Sequence, residues 1–155
     1  MTFLRQAIIT ASSAAIIFNI QRDWIGLCKT TGESMLPTVD ENAVLLVDKR
    51  KMAVQKDLRR GDVVMLRSVS NPDELLIKRI TAMSGDIMPD STEPINRYLH
   101  YADHIRVPSG HVWVAGDNTG CSRDSRYFGP VPVAVVQGKV LYQLTPEFRD
   151  ISTTV

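Results

Sequence analysis

The 155-residue sequence has little of several things: two cysteines, three histidines, 6% aromatic residues and a net charge of only +1. Cys28 and Cys121 are too few for a disulfide framework. Neither they nor His100 and His104 come with the further ligands a metal centre needs, so no metal or cofactor is expected. The near-balanced charge, the lack of a basic block and the scarce aromatics remove the footprint of a nucleic-acid binder. There are no internal repeats and no low-complexity linker. What remains is ordinary globular composition, 44% hydrophobic and 23% charged, in a chain long enough for one core and short for two domains.

The N-terminus departs from that composition. Between Arg5 and Arg22 the stretch "QAIITASSAAIIFNIQ" carries no charge. As a helix it spans roughly 24 Å at ~1.5 Å per residue, a little less than a hydrocarbon core of ~30 Å. Three readings stay open: a cleaved secretory signal, a retained membrane anchor, or a buried helix of the core. "WIGLC" (24–28) continues the apolar character, with Trp24 as a candidate interfacial anchor.

Beyond Cys28 the period changes. Segments 43–49, 62–68, 74–83, 104–116 and 135–144 are short and rich in β-branched residues, and the turn signals "RRGD", "NPD", "SGD", "PSG", "GDN" and "FGP" bound them. The pattern predicts a mainly β fold, with helix expected chiefly at the N-terminus. Residues 89–103, "PDSTEPINRYLHYAD", read as a surface excursion.

Three segments carry candidate chemistry. In "TTGESMLPTV", Gly32 and Pro37 bracket Ser34, which reads either as a turn former or as a nucleophile awaiting a base. In "ELLIKRI", strand alternation places Lys78 with Leu76, Ile80 and Ala82 on one face, and Arg79 with Leu75, Ile77 and Thr81 on the other. A lysine desolvated on an apolar face is biased toward its neutral form, which is a general base. On an edge strand the same lysine would simply reach out to water. The third segment, "GDNTGCSRDSRYFGPVP", is a plain loop by composition, yet Asp124 and Arg126 are placed to brace each other and Ser122 to donate to a lysine amine.

Together these segments resemble the type I signal peptidase family of membrane-bound Ser-Lys endopeptidases. "GESMLPT" is similar to its nucleophile box and "RGDVV" to the strand that follows. "IKRITAMSGD" is similar to its lysine box, and "GDNTGCSRDSRYFGPV" to its last box, all in family order from Gly32 to Val131. By position the resemblance implies Ser34 as nucleophile, Lys78 as general base and Ser122 as a hydrogen-bond partner of the lysine. It implies Asp124 and Arg126 as a structural pair, and Gly116, Asp117 and Asn118 as a supporting turn. Gly32 stands where some bacterial members have a serine of the oxyanion hole. The donors expected here are therefore the Ser34 N–H and a second group not assigned, with Thr31 a candidate. Met35 and Leu36 are candidates for lining the substrate pocket.

The short stretch between the lysine box and the last box, and the single short apolar segment, resemble the mitochondrial inner membrane protease subunits, with "SRDSRYFGP" favouring subunit 1. That implies a signal-peptidase-like β-fold on one N-terminal membrane-anchor helix. Residues 1–28 would anchor or target, 29–145 form the peptidase domain and 146–155 a tail. It implies a heterodimer with a related subunit in the mitochondrial inner membrane, the catalytic domain facing the intermembrane space, and precursor proteins with N-terminal sorting peptides as substrates. A bacterial plasma membrane is the alternative location. Two other functions compete: a self-cleaving Ser-Lys repressor-type protein, disfavoured by the last box and the balanced charge, and a non-catalytic membrane-anchored partner subunit, disfavoured by the intact Ser34, Lys78 and Ser122.

Overall fold

The run Val63–Leu66 is apolar at four successive positions, and all four are buried. Alternation sends Val63 and Met65 to one side and Val64 and Leu66 to the other. Each side meets its own core. The first cluster holds Met35, Val39, Ala43, Leu45, Val47, Val140 and Ile151. The second holds Val54, Leu58, Ile80, Val112, Val114, Val131 and Val136. Burial of one such Val or Leu side chain stabilises by about 1.5–3 kcal/mol. The strand carrying the run is therefore the centre of the molecule.

The computed structural model describes residues 24–89 and 104–152. Its strands are β1 (Ile25–Lys29), β2 (Val44–Asp48), β3 (Val63–Arg67), β4 (Leu75–Ala82), β5 (Ile87–Pro89), β6 (His104–Arg106), β7 (His111–Ala115), β8 (Val131–Pro132), β9 (Val136–Thr145) and β10 (Arg149–Asp150). The two α-helices among the described residues are short, α1 (Lys51–Lys56) and α2 (Ser125–Phe128). The main sheet has the order β1-β2-β9-β3-β4-β7-β8, with β10 added to β9, and β5 and β6 form a separate pair. Every pairing is antiparallel. The fold is mainly β, as expected.

Three local features differ from the sequence reading. "WIGLC" does not simply prolong the apolar N-terminal segment: Ile25–Lys29 is an edge strand of the sheet, paired with β2. A short apolar run does not distinguish strand from helix, and here Gly26 and Cys28 turn inward while Ile25, Leu27 and Lys29 stay exposed. The single strand expected over 104–116 is broken at Pro108–Gly110. Gly110 takes a left-handed φ of 72°, and His111 N–H closes the turn on Pro108 O at 3.1 Å, so β6 and β7 join different sheets. Helix α1 was not anticipated; it brings Val54 onto the second core cluster. Residues 1–23 of the segment read over 1–28 as an anchor, His100 and nearly all of the excursion read over 89–103 lie outside the described residues.

Candidate active site

Strand β4 is interior to the sheet, between β3 and β7, and its burial alternates as the sequence requires: Lys78, Ile80 and Ala82 are buried. Lys78 sits opposite Val64 of β3 and is 3% exposed. Its burial, not its place in the sheet, rules out the alternative in which Lys78 simply reaches out to water. Its Nζ lies 2.7 Å from Ser34 Oγ. Burial of the amine lowers its pKa; Asp124 and Glu74 oppose that shift, and Arg126 adds to it. The ammonium is disfavoured beside the Ser34 hydroxyl.

Ser34 belongs to a tight turn closed by Leu36 N–H to Glu33 O at 3.1 Å and Val39 N–H to Met35 O at 2.9 Å. Met35 is 2% exposed and anchors that turn in the first core cluster. Its neighbour Ser34 is left half-buried, facing Lys78. The Ser34 N–H donates to no acceptor among the described residues. It is thus available as an oxyanion donor, the role expected for it.

The last box supports this turn from the far side. Asn118 N–H donates to Ser34 O at 3.1 Å. A Cβ on Gly116 would collide with both Ser34 O and Ser122 Oγ, so only glycine permits the close approach of these three segments. Asp124 is wholly buried and acts as the hub of the loop. It receives Ser122 Oγ at 2.6 Å, Gly116 N–H at 2.8 Å, Arg126 Nε at 2.8 Å and Arg126 Nη2 at 2.7 Å. It also caps α2 by accepting Arg126 N–H at 3.2 Å. Burial raises its pKa, but these hydrogen bonds outweigh that and hold it at about 2.

One expected contact is not made. Ser122 does not donate to Lys78; its single hydroxyl proton goes to the Asp124 carboxylate. A charged acceptor makes the stronger hydrogen bond and takes the proton from a competing neutral amine. Ser122 remains buried beside Gly116, with its oxygen lone pairs still able to accept.

Asp117 does more than form a turn. Arg79 Nε and Nη2 grip its carboxylate at 2.9 and 2.7 Å, and Thr38 Oγ1 donates to the same group. Burial raises the Asp117 pKa, and the bonds from Arg79 and Thr38 reverse this to a net lowering. Arg79 also donates to Gly61 O at 2.7 Å. Adjacent residues of a strand point to opposite faces, so the turn bearing Ser34 is held on both: Ser34 by Lys78 and Thr38 by Arg79 through Asp117. Sequence reasoning gave Arg79 and Thr38 no role. The signal was present in the K-R dipeptide within an alternating strand, but the partner of the arginine lies in a distant loop.

A groove of about 470 Å³ runs past Ser34 and Lys78, walled by residues 28–32 on one side and 73–78 on the other. Cys28, Cys121 and Arg123 also line it. Of the two residues expected in the substrate pocket, Met35 lines the groove and Leu36 does not; Leu36 is half-buried outside the lining. A turn directs successive side chains apart, and only one of the pair faces the groove. No group of three or more His, Cys, Asp or Glu residues among those described is arranged to hold a metal.

The family model for signal peptidase, peptidase S26, matches residues 3–89 and 88–144. The mitochondrial ATP-independent inner membrane protease subunit 1b of Arabidopsis thaliana is 40% identical over 119 residues, 77% of this chain and 69% of that protein. The mitochondrial inner membrane protease subunit 1 of Mus musculus is 32% identical over 126 residues, 81% and 72% of the two chains. Subunit 2 of Schizosaccharomyces pombe is 36% identical over 136 residues, 86% and 72%. A crystal structure of a signal peptidase I from Enterococcus faecalis is similar at a TM-score of 0.41 and 26% identity, covering 54% of this chain and 96% of that one. With a family model spanning most of its length and relatives of this identity and coverage, the chain belongs to the signal peptidase family, peptidase S26, and is a peptide-bond hydrolase of that family.

Proposed function

We propose that the chain cleaves precursor proteins by acyl transfer to Ser34, with Lys78 as general base. The observation that carries the reading is the 2.7 Å contact between Ser34 Oγ and the buried, deprotonation-prone Lys78 Nζ. Neutral Lys78 takes the hydroxyl proton as Ser34 Oγ attacks the scissile carbonyl carbon. The Ser34 N–H meets the developing oxyanion; a donor of this kind contributes roughly 2.7–4 kcal/mol. Collapse breaks the C–N bond, and Lys78 gives its proton to the leaving amine. A water then gives a proton to Lys78 and attacks the ester. Ser34 Oγ departs, recovers the proton and leaves the free acid.

The substrate runs extended along the groove. Among the described residues, two free strand edges border it. β1 ends the sheet, and β7 pairs with β4 only from Arg79 onward, leaving Leu75–Lys78 open on that side. An extended peptide can add main-chain hydrogen bonds to such edges while its side chains enter the groove. The relatives named as protease subunits 1 and 2 support the mitochondrial inner membrane as the location. They also support assembly with a second related subunit. The catalytic domain faces the intermembrane space, and the substrates are precursors bearing N-terminal sorting peptides.

The test is cleavage of a presequence-bearing precursor by the detergent-solubilised chain, alone and with its co-purified partner, against Ser34→Ala. The expected result is cleavage by wild type and none by the variant. Undiminished cleavage by Ser34→Ala would overturn the reading.

A further inference from the structure

The turn that carries Ser34 ends at Asp40, and Asp40 is gripped from the C-terminal end of the chain. Arg149, in β10, donates from Nη1 to Asp40 Oδ1 at 3.2 Å and lies 3.1 Å through Nη2 from Oδ2. The same Nη1 also donates to Pro37 O at 3.2 Å, inside the turn itself. Gln143, fully buried on β9, completes the grip: its Nε2 donates to Asp40 Oδ2 at 2.7 Å, and its Oε1 accepts Asp40 N–H at 2.9 Å. Thr30 Oγ1, on the groove wall, donates to Asp40 O at 3.0 Å. Ile151, two residues after Arg149, packs in the cluster that holds Met35 and Val39. The C-terminal hairpin thus fixes both the turn bearing the nucleophile and the wall where substrate would lie.

Nothing in the chemistry of the Ser34–Lys78 pair requires an arginine at this place. Glu147, on the same hairpin, lies 3.6 Å from Arg149 and is exposed, so it offers only a solvated partner. The contacts to Asp40 and Pro37 O are made across the molecule, to the one turn whose placement decides the Ser34–Lys78 distance. We propose that Arg149 is a positioning residue for this reaction: through Pro37 O and Asp40 it holds Ser34 Oγ in line with Lys78 Nζ. The proposal rests on the reading of Ser34 as the nucleophile. The clamp made by Arg79 and Asp117 holds the same turn through Thr38, so Arg149 supports it from the opposite end.

Displacement of a reacting atom by about 1 Å costs up to ~100-fold in rate. The experiment measures kcat and KM per folded molecule for a presequence peptide with Arg149→Ala, Arg149→Lys, Asp40→Asn and the Arg149→Ala/Asp40→Asn double variant. Each is assayed as the full chain with any co-purifying partner, with Ser34→Ala in parallel. The expected result is a fall in kcat of roughly 10- to 100-fold for Arg149→Ala with KM within about twofold. Arg149→Lys should recover most of it, because an ammonium still reaches Asp40. The double variant should lose little more than the worse single one. An unchanged kcat for Arg149→Ala, or a loss fully explained by fewer folded molecules, overturns the proposal while an inactive Ser34→Ala upholds the nucleophile. Activity retained in Ser34→Ala overturns both.

Discussion

Asn118 N–H donates to the carbonyl oxygen of Ser34 at 3.1 Å, and this bond, with that of Thr38 to Asp117, joins the first and last of the chemistry-bearing segments. The turn bearing Ser34 is therefore set by its own sequence and by a loop that follows β7. Strand β4 lies between them and presents Lys78 to Ser34 and Arg79 to Asp117. The site is a product of strand alternation applied to one lysine-arginine pair.

Replacement of Lys78 by Met keeps the packing and removes the proposed base. The expected outcome is loss of detectable precursor cleavage with the thermal midpoint unchanged or raised, because a buried amine is exchanged for an apolar side chain of similar length. Cleavage assays and thermal melts on the same preparation check both halves. Cleavage at the wild-type rate by Lys78→Met would refute the role of the lysine.

The pH profile follows from the direction of the lysine shift. In the proposed mechanism the neutral amine is the active form, so kcat/KM should rise with pH through the Lys78 pKa and level off above it. Burial lowers that pKa from the ordinary 10.5, so the midpoint of the rise should fall below that of a free lysine. A rate still climbing through pH 10.5, with the fold intact, would show that the amine is not depressed.

Asp124 couples the loop to acid stability. Its folded pKa of about 2 lies below the ordinary 3.8, so its contribution is full above 3.8 and is lost as pH falls toward 2. The shift corresponds to about 2 kcal/mol. Urea titrations between pH 5 and roughly 2 should show this loss in the wild type, and Asp124→Asn should be less stable at pH 7 with a flatter dependence below pH 4. A parallel pair of curves would count against it.

Gly116→Ala tests the close approach at the heart of the site. The new methyl meets the Ser34 carbonyl oxygen, which is backbone and held by Asn118, as well as Ser122 Oγ. A destabilisation of about 1–3 kcal/mol is expected, with activity falling further than stability because Ser34 must shift. Circular-dichroism melts alongside cleavage rates separate the two effects, and a fully active, fully stable variant would mean that the loop relaxes freely.

The mainly β fold was legible because turn residues cut the chain into segments of strand length and β-branched residues fill them. The face carried by Lys78 was legible too, since period two is a property of the strand itself. Harder to read were "WIGLC" and the interruption at Pro108–Gly110, where a short apolar or β-branched run looks alike in helix, strand and two strands joined by a turn.

The amino-acid order by itself determined that Ser34 sits on a turn and that Lys78 and Arg79 point apart. It also determined that Asp124 can accept from Arg126 two positions on, because these are consequences of covalent connection and local backbone geometry. Tertiary structure alone decided that Lys78 is buried rather than reaching out to water and that the Ser122 proton goes to Asp124. It alone decided that Asp117 binds Arg79, and that Arg149 closes on Asp40 from the far end of the chain. Those contacts join groups far apart in sequence, and their energies exist only once sheet register and core packing have brought the partners within hydrogen-bond reach.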